Sequence, residues 1–470
     1  MAGLLDALNA GKTSLSTNQK SIEIVGNNVA NVNTAGYSRQ RAELIQIPAV
    51  NFGDFFIGQG VSVSDVSRDY SSFVSRQLQE SFIAYGEEQG RSNPLAELER
   101  LFNVSEDNLA TEVDKFFDAW QELTTNPSGQ VERDIVMQRG QLLGDNFRQL
   151  SDELNTITEN INTEIIGGVS ALNEKIAEVA RLNDRIRQVE ISGQSANAAR
   201  DQRDLIVQDL SETLGVQTYT DNRGMLAVQL PGGLPLVQGD TAMTIKTVTT
   251  GTDVDLQLEI AGVTRDISRE ELGGSFRGMY EIRDVFIDGL HNDLDTLAVD
   301  LTSSVNDLHD DGYFIDPGTG LPATGQLFFN DITALPPGIR PSRSIEVAFS
   351  DSRYVAAAKL DTAAAGDNGI ALEIAALETS HQVSGTTDNY DAFFSKMVSR
   401  VGIEANRNNL ALKGAEDAKV QLQNLRDGFS GVSLEEEMID LIQYQRGFES
   451  SAKFLSTVDE MMNALLQLKG

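Results

Sequence analysis

The sequence contains no cysteine in 470 residues and only three histidines. The absence of cysteine excludes a disulfide framework, a thiolate metal site and a cysteine nucleophile. No run of 18 apolar residues is present, so the sequence predicts no membrane span. The first twenty residues lack the basic segment and the apolar core of a secretory signal peptide. We therefore expect a protein that is made in the cytoplasm without a cleavable signal peptide, and that either stays there or leaves by another route.

Positive charge is also scarce. The chain has 37 Lys and Arg residues against 70 Asp and Glu residues, which gives a formal net charge of −33. Such a charge repels the phosphates of nucleic acids and the headgroups of anionic membranes. We therefore exclude nucleic acid as a partner. Hydrophobic residues still make up 40% of the sequence, which allows packed cores in about two or three domains.

Two short strings resemble catalytic motifs but lack an essential residue. In AGKTS, a phosphate-binding loop needs a glycine five positions before Gly11, where Asp6 stands. In GGSFRG, a nucleophile elbow needs a glycine two positions after Ser275, where Arg277 stands. Neither string therefore predicts a nucleotide site or a serine nucleophile.

Metal-binding patterns are equally incomplete. In the acidic stretch 307–320 an EF-hand needs glutamate at the twelfth position, which is Gly318. His291, His309 and His381 show neither the spacing of a zinc helix nor a carboxylate relay, and we expect His291 on a solvated helix face. The sequence thus predicts no catalytic residue, no cofactor and no metal site.

The N-terminal segment carries apolar residues at a spacing of seven. The series is Met1, Leu8, Leu15, Ile22 and Val29, with Leu4, Val25 and Val32 three positions further on. This heptad pattern predicts an amphipathic helix over the first 35 residues that packs against another helix, with Gly11 and Asn18 as weak points. Gly36 is predicted to end the helix.

The C-terminal segment repeats this pattern after a predicted capping box of Ser433 and Glu436. Its series is Leu434, Leu441, Phe448, Leu455 and Met462, joined by Tyr444, Val458 and Leu465. Matched heptad helices at the two chain ends are predicted to pair with each other or with neighbouring chains. We expect both ends to be mobile in the free chain and to fold on assembly, with a stable intramolecular coiled coil as the alternative.

The middle of the chain is predicted to be mostly helical. A long amphipathic region follows Gly129, a second helix ends at Gly215, and Asn93-Pro94 is predicted to begin another. Residues 216–275 alternate β-branched residues with turn sequences, which predicts a small sheet. The predicted fold class is mainly α with a smaller β part: terminal helices that pair as a coiled coil, and an elongated helical-bundle body with a β insert.

Two stretches resemble the terminal signatures of the axial proteins of the bacterial flagellum. They are SIEIVGNNVANVNTAGYSRQ, from residue 21, and SGVSLEEEMIDLIQYQRGFESSAKFLSTVDEMMNALLQL, from residue 430. Rod, hook and junction proteins of this family share the asparagine-rich core, and the continuation into YSRQ resembles the junction members. DQRDLIVQDLSE, GGSFRGMYEIRD and LHDDGYF resemble the central helical region of those members.

The resemblance implies a non-enzymatic building block of the hook–filament junction. It implies secretion by the flagellar type III export apparatus, escorted by a chaperone that binds the C-terminal helix. The extracellular product is expected to be a homo-oligomeric ring on the hook protein, below the second junction protein, hook-associated protein 3. A hook or rod protein of the same family is the first alternative, and an enzyme grafted onto a flagellar part is the second.

The resemblance and the patterns together suggest a division of the chain into five parts. These are a terminal coiled-coil domain (1–36 and 432–470), a β-like connector (37–92), a helical-bundle body (93–215 and 276–431), the β insert (216–275), and a reduced outer region (313–365). Larger relatives carry an outer β domain in that last region, and we expect it to be reduced or absent here.

The predicted assembly residues lie in the two terminal segments. Those expected at intersubunit contacts are Leu8, Leu15, Ile22, Val25, Asn28, Val29, Val32, Asn33, Thr34, Gly36, Tyr37 and Arg39. Those expected on the terminal, chaperone-binding helix are Leu434, Leu441, Tyr444, Phe448, Leu455, Val458, Met462 and Leu465. Uncharged asparagine amides can donate and accept hydrogen bonds across subunit boundaries without like-charge repulsion.

Overall fold

A computed structural model describes residues 2–51, 56–102, 108–221 and 224–468. Its α-helices are α1 (Ala2–Ala30), α2 (Ser72–Leu101), α3 (Leu109–Thr125), α4 (Gln130–Ile191), α5 (Asn197–Leu214), α6 (Gly274–Glu281), α7 (Asp288–Asp310), α8 (Gly369–Ser380), α9 (Tyr390–Ser430) and α10 (Leu434–Leu468). A π-helical segment, Ile282–Ile287, joins α6 to α7. The chain is mainly α with a smaller β part, as predicted.

The strands form small antiparallel sheets. They are β1 (Gln40–Gln46), β2 (Val50–Asn51), β3 (Phe56–Ile57), β4 (Val61–Arg68), β5 (Gln217–Thr220), β6 (Leu226–Gln229), β7 (Pro235–Gln238), β8 (Thr241–Ala242), β9 (Thr244–Thr250), β10 (Asp253–Ile260), β11 (Val263–Ile267), β12 (Phe314–Ile315) and β13 (Pro322–Ala323). Strand β1 pairs with β4, β2 with β3, and β12 with β13. The predicted insert holds a four-stranded sheet in the order β5-β6-β7-β8 and a three-stranded sheet in the order β11-β10-β9.

Helix α4 is the spine of the body. It runs unbroken for 62 residues, which corresponds to about 93 Å at 1.5 Å per residue. The long amphipathic region predicted after Gly129 is confirmed, because one series of its apolar residues is buried throughout: Val136, Leu143, Leu150, Ile157, Ile165, Leu172, Val179 and Ile186. Asparagines on α4 hold the β insert, since the Asn173 amide bonds both the N–H and the C=O of Ile245 at 2.8 Å. The Asn183 amide also donates to Leu226 O at 2.7 Å.

An aromatic cluster joins α3 to the outer region. The Trp120 and Phe328 ring centroids lie 5.4 Å apart, and those of Phe328 and Phe329 lie 4.8 Å apart. Phe116 contacts Phe328 at 5.6 Å, and all four rings are fully buried. Tilted and edge-on ring pairs at these distances stabilise a core beyond the area they bury. Within residues 313–365 the regular strands are only β12 and β13, two residues each.

The predicted β-like connector is shorter than expected. Helix α2 begins at Ser72, so the prediction of β-like structure up to residue 92 is wrong for residues 72–92. Pro94, predicted to start a helix, lies buried inside α2 instead. A proline inside a helix costs about 3 kcal/mol. The packing of α2 against α5, α6 and α9 offsets that cost.

Two glycines let α2 approach the backbones of its neighbours. A Cβ atom on Gly86 would lie 1.8 Å from Glu212 O of α5, and one on Gly90 would lie 2.1 Å from Ser275 O of α6.

We expect Gly86→Ala to lower the free energy of unfolding of the body by about 3 kcal/mol, because backbone atoms must move apart. Gly414→Ala on α9 is the matched control, since nothing lies within 4 Å of its Cβ position. It should stabilise the helix by about 0.5–1 kcal/mol. Urea unfolding of both variants measures the difference, and equal stabilities would contradict the close approach.

Candidate assembly site at the paired chain ends

The two terminal helices pack against each other in antiparallel orientation. Ser14 of α1 and Ser451 of α10 meet with their hydroxyl oxygens 2.9 Å apart. Toward one end, a Cβ atom on Gly11 would lie 2.9 Å from Leu455 Cδ2. The terminal helices therefore pair within one chain, which was the alternative that the sequence left open.

Small residues lie where helices α1 and α10 come closest to each other. A Cβ atom on Gly447 would lie 2.6 Å from Asn18 Oδ1, so Asn18 fits against a residue without a side chain. Gly11 and Asn18, predicted to be weak points, are thus on the contact line. Small residues there let two helix backbones come closer than leucine pairs allow.

The predicted apolar series forms only part of this contact line, where Leu455 lies against Gly11. Val25 and Val458 are buried, at 4% exposure each, whereas Leu434 and Leu465 are exposed. The remaining described seam residues are partly buried: Leu4, Leu8, Leu15, Ile22, Val29, Val32, Leu441, Tyr444, Phe448, Leu455 and Met462. Met1, also in the predicted series, lies outside the described residues. Much of the apolar surface of the pair therefore stays open to solvent in a single chain.

Arg39 binds the start of α10 through three carboxylates. Its Nε donates to Glu437 Oε1 at 2.6 Å, its Nη1 to Glu436 Oε2 at 2.8 Å, and its Nη2 to Asp440 Oδ2 at 3.1 Å. Glu437 is only 1% exposed and Arg39 8%. Burial acts to lower the pKa of Arg39, but the three carboxylates, Glu437 foremost, outweigh it and raise the pKa. Arg39 is therefore a fixed cation that holds α10 in place.

Asn28 completes this network from the side of α1. Its amide nitrogen donates to Glu437 Oε2 and to Gln40 O, both at 2.9 Å. Its Oδ1 accepts from Tyr37 Oη at 2.9 Å and from Gln40 N at 3.0 Å. Burial, with help from Asp201 and Glu437, raises the pKa of Tyr37 to about 12, so the phenol stays a donor. The Asn28 amide is thus fully used within the chain, and the geometry gives it an intrachain role.

The turn after α1 also fastens the terminal pair to the body. Ser38 donates from its N–H and its hydroxyl to the Asp201 carboxylate on α5, at 3.0 and 2.8 Å. Arg68 donates to the same carboxylate at 2.6 Å. Gly36 has a φ of +77°, and a Cβ atom there would lie 2.3 Å from Leu205 Cδ1. A side chain at position 36 would therefore be strained and would push the turn away from α5.

The asparagine-rich stretch ends α1 earlier than predicted. The helix stops at Ala30, and residues 31–36 form turns. The Asn31 amide donates to Asn27 O at 2.9 Å, and the Thr34 hydroxyl donates to Asn31 Oδ1 at 3.1 Å. Such local bonds compete with helix continuation. Asn33 and Thr34 remain exposed, so their predicted place in an intersubunit contact stays a prediction.

One face of α10 is apolar and exposed to solvent. Leu434, Met438 and Ile442 stand one turn apart with 45%, 49% and 47% exposure, and Ile439 is 65% exposed. We call these four residues the outer apolar row. Monomeric soluble proteins rarely expose a contiguous apolar patch without a partner for it.

The predicted capping box is only half formed. Glu436 N lies 3.5 Å from the Ser433 hydroxyl oxygen, as a cap requires. The Glu436 side chain, however, binds Arg39 instead of returning to the cap residue. An ion pair with a largely buried guanidinium has taken the place of a local backbone bond.

The body matches a known family. Residues 95–329, half of the chain, match the family described as flagellar hook-associated protein FlgK helical domain. The chain belongs to the FlgK family of flagellar hook-associated proteins. Residues 8–37 match the flagella basal body rod protein family, and residues 428–468 match the C-terminal family of the flagellar basal body rod FlgEFG proteins. These two end matches coincide with the paired helices and the turn after α1.

Relatives of the FlgK family align along the full chain. Flagellar hook-associated protein 1 of Bacillus subtilis is 26% identical over 510 residues, covering 100% of this chain and 99% of the relative. The Escherichia coli protein of the same name is 22% identical, covering 98% and 99%. A solved structure of the flagellar hook junction protein FlgK from Burkholderia pseudomallei superimposes with a TM-score of 0.65 at 15% identity. It covers 76% of this chain and 100% of that one, which shows a shared fold.

The histidines of this FlgK-family chain are structural. His291, predicted to be solvated, is 4% exposed because the loop that carries Arg340 folds over α7 and binds Asp288 and Asp295. Burial, followed by Arg340, lowers its pKa to about 4. Burial likewise lowers the pKa of His309 to about 4, and the ring bridges two backbone groups, Gln326 O and Ala356 N.

His381 does have a carboxylate partner, which the sequence did not reveal. Its Nε2 lies 2.8 Å from Asp300 Oδ2 and 3.1 Å from the Ser304 hydroxyl. A catalytic triad places the carboxylate and the nucleophile on opposite ring nitrogens. Here both share one nitrogen, so the cluster fastens α7 to the connection between α8 and α9.

The other discounted motifs also have structural roles. The AGKTS string lies inside α1, where its backbone N–H groups bond within the helix. In the acidic stretch, Asp316 Oδ1 accepts from the N–H groups of Gly318 and Thr319, which is an Asx turn. Among the described residues, no group of three or more His, Asp or Glu is arranged to hold a metal ion. In the same part of the chain, no helix has an apolar stretch long enough to cross a bilayer.

Proposed function

We propose that the chain is a structural component of the bacterial flagellum that joins the hook to the filament. Its membership of the FlgK family supports a hook-associated role. The observation that carries the proposal is the terminal pair itself. Both chain ends match flagellar rod families, pair with each other, and leave the outer apolar row of α10 uncovered.

We propose that copies of the chain assemble into a ring through this terminal domain, residues 1–36 and 432–470. Each half-buried seam position and each member of the outer apolar row is available to a neighbouring copy. Burying one such side chain stabilises a contact by about 1.5–3 kcal/mol. A contact between two different faces of identical chains closes into a ring when its rotation closes.

The same surface explains a need for an escort before assembly. Without α1, helix α10 exposes both its seam and its outer apolar row. The proposed partners are therefore the hook protein, hook-associated protein 3, the type III export apparatus, and a chaperone that binds α10. In this proposal the chain acts outside the cell, at the hook–filament junction.

The predicted intersubunit residues divide into two groups within this proposal. Asn28, Tyr37 and Arg39 hold the terminal pair together, and so set the geometry that a neighbour meets. Asn33 and Thr34 are exposed and are proposed to contact the neighbour directly.

Electron microscopy of a strain that lacks the gene tests the proposed position. We expect cells with complete hooks and no filaments, with flagellin released into the medium, and complementation by the full gene should restore filaments. A strain without hooks would indicate a rod or hook protein instead. Normal filaments would overturn the proposal.

A further inference from the structure

Arg203, on α5, is a buried cation without a close counter-ion. Its side chain donates from Nη1 to Asn183 Oδ1 at 3.0 Å. Among the described residues, the one carboxylate oxygen within 4 Å is Asp204 Oδ1, at 3.9 Å from Nη2. Its Nε is buried without a hydrogen-bond partner in that part of the chain. The residue as a whole is 8% exposed.

Arg39 and Arg68, two other arginines with buried side chains, are paired with carboxylates more closely, and the buried Arg133 donates to the backbone carbonyls of Pro127 and Val355. Arg39 has three carboxylates within 3.1 Å. Arg68 has two, Asp201 at 2.6 Å and Asp204 at 2.7 Å, so the carboxylate nearest to Arg203 already neutralises Arg68. Burial lowers the pKa of Arg203, and Asp204 offsets this only in part. Buried charges are normally paired. Among the described residues this guanidinium has a hydrogen bond to Asn183 but no carboxylate within hydrogen-bond distance.

A cavity adjoins this arginine at the end of α4. Its volume is about 200 Å³. The lining residues are Asn183, Ile186, Arg187, Glu190, Ile191, Arg203, Gly224 and Met225. Among the described lining residues two are cations and one is an anion, and the anion, Glu190, is itself held by Arg200 at 2.5 Å. The volume lies below the roughly 300–1,000 Å³ of ordinary small-molecule sites, which leaves room for one small group.

We infer that this cavity binds a single small oxyanion through Arg203. The planar guanidinium offers parallel N–H donors that match two oxygens of a sulfate, a phosphate or a carboxylate. The apolar sides of Ile186 and Met225 limit the size of the group. Such a site is unexpected on a chain with a net charge of −33, and it lies on the body, apart from the terminal domain.

Crystals of the full chain soaked in sodium selenate, a sulfate analogue with an anomalous signal, test the site without any substitution. We expect an anomalous peak at about 4 Å from the Arg203 guanidinium nitrogens, because the selenate oxygens accept at about 2.9 Å and the selenium lies behind them. A map with no peak in the cavity at saturating selenate would overturn the inference.

Thermal unfolding in solution gives an independent test. Compared with chloride at equal ionic strength, sulfate should raise the Tm of the wild-type chain, and the increase should saturate with sulfate concentration. Arg203→Gln should weaken the apparent affinity at least tenfold. Arg181→Gln is the matched control, because Arg181 is a 71% exposed arginine on α4 that pairs within its own helix. An equal response of wild type and Arg203→Gln would show a general salt effect and contradict the site.

Competition by acetate distinguishes two possible natural occupants of the cavity, a carboxylate of a protein and a free dianion. If the natural occupant is a protein carboxylate, acetate should compete with sulfate at similar concentrations. If it is a free dianion, sulfate and inorganic phosphate should bind at least tenfold more tightly than acetate. Either result supports a site for an oxyanion, and a failure of all three anions to bind contradicts it.

Discussion

Cells whose chain lacks residues 434–470 are expected to keep their hooks and to lose their filaments. The deletion removes α10, and with it the partner of α1, the carboxylates that hold Arg39, and the outer apolar row. An isolated helix the length of α1 is marginal in water without a packing partner. We therefore expect loss of both the terminal domain and ring assembly, measured by electron microscopy and by flagellin in the medium.

A double substitution on α10 distinguishes the role of its outer apolar row from the role of the helix in folding. Met438→Ser with Ile442→Ser removes half of the outer apolar row and leaves the contact line of α10 intact. Val263→Ser with Leu321→Ser is the control, because these two apolar residues lie elsewhere and are more exposed, at 69% and 64%. The first pair should impair filament attachment while the protein stays folded, and the second should not. Normal filaments in the truncated strain would contradict the role of α10 altogether.

Replacement of Arg39 by methionine should open the terminal pair. The change leaves Glu437 buried without a counter-ion, which costs about 3–5 kcal/mol. Hydrogen exchange of the α1 and α10 amides measures this locally, because opening of the ends need not unfold the body. Those amides should lose protection while the amides of α4 keep theirs.

Two further variants control for this effect. Arg41→Met changes a neighbouring, 59% exposed arginine paired to Asp69, and should cost at most about 0.5 kcal/mol. Arg39→Met combined with Glu437→Gln should recover part of the loss, since no unpaired charge remains. Equal protection in Arg39→Met and Arg41→Met would show that the buried ion pair does not hold α10.

The sequence predicts those parts of the fold that follow from a repeated pattern. The unbroken spine α4 is predictable because a series of apolar residues at a spacing of seven leaves one buried stripe on a helix. The end of α5 is predictable too, because Gly215 takes up the left-handed φ of +68° there. The β insert follows from period-two alternation and turn residues.

Tertiary packing determines features of the fold that the spacing of residues along the sequence does not predict. Pro94 is a local signal for a helix start, and contacts with three neighbouring helices override it. The prediction that His291 is solvated is wrong, since a loop from about fifty residues later covers it. Nothing in the spacing along α7 could show that loop.

The register of the terminal pair shows which contacts apolar spacing alone does not reveal. Small and polar residues make up much of the contact line, in which Gly11 lies against Leu455 and Ser14, Asn18, Gly447 and Ser451 follow. Arg39 and Asn28 are among the predicted residues, but their buried partner, Glu437, is not. The signal was present, because Glu437 is in heptad register with Tyr444, Ser451 and Val458. An acid at such a position requires a buried cation, and Arg39 supplies it.

Disulfide trapping of the assembled junction tests the pairing of α1 with α10 most directly. Ser14→Cys with Ser451→Cys introduces two thiols where two hydroxyl oxygens lie 2.9 Å apart, in a chain with no other cysteine. We predict a disulfide within single chains, seen as a faster-migrating monomer on a non-reducing gel, in cells that still carry filaments. Disulfide-linked dimers, or free thiols in filament-bearing cells, would contradict the intrachain pair on which this account depends.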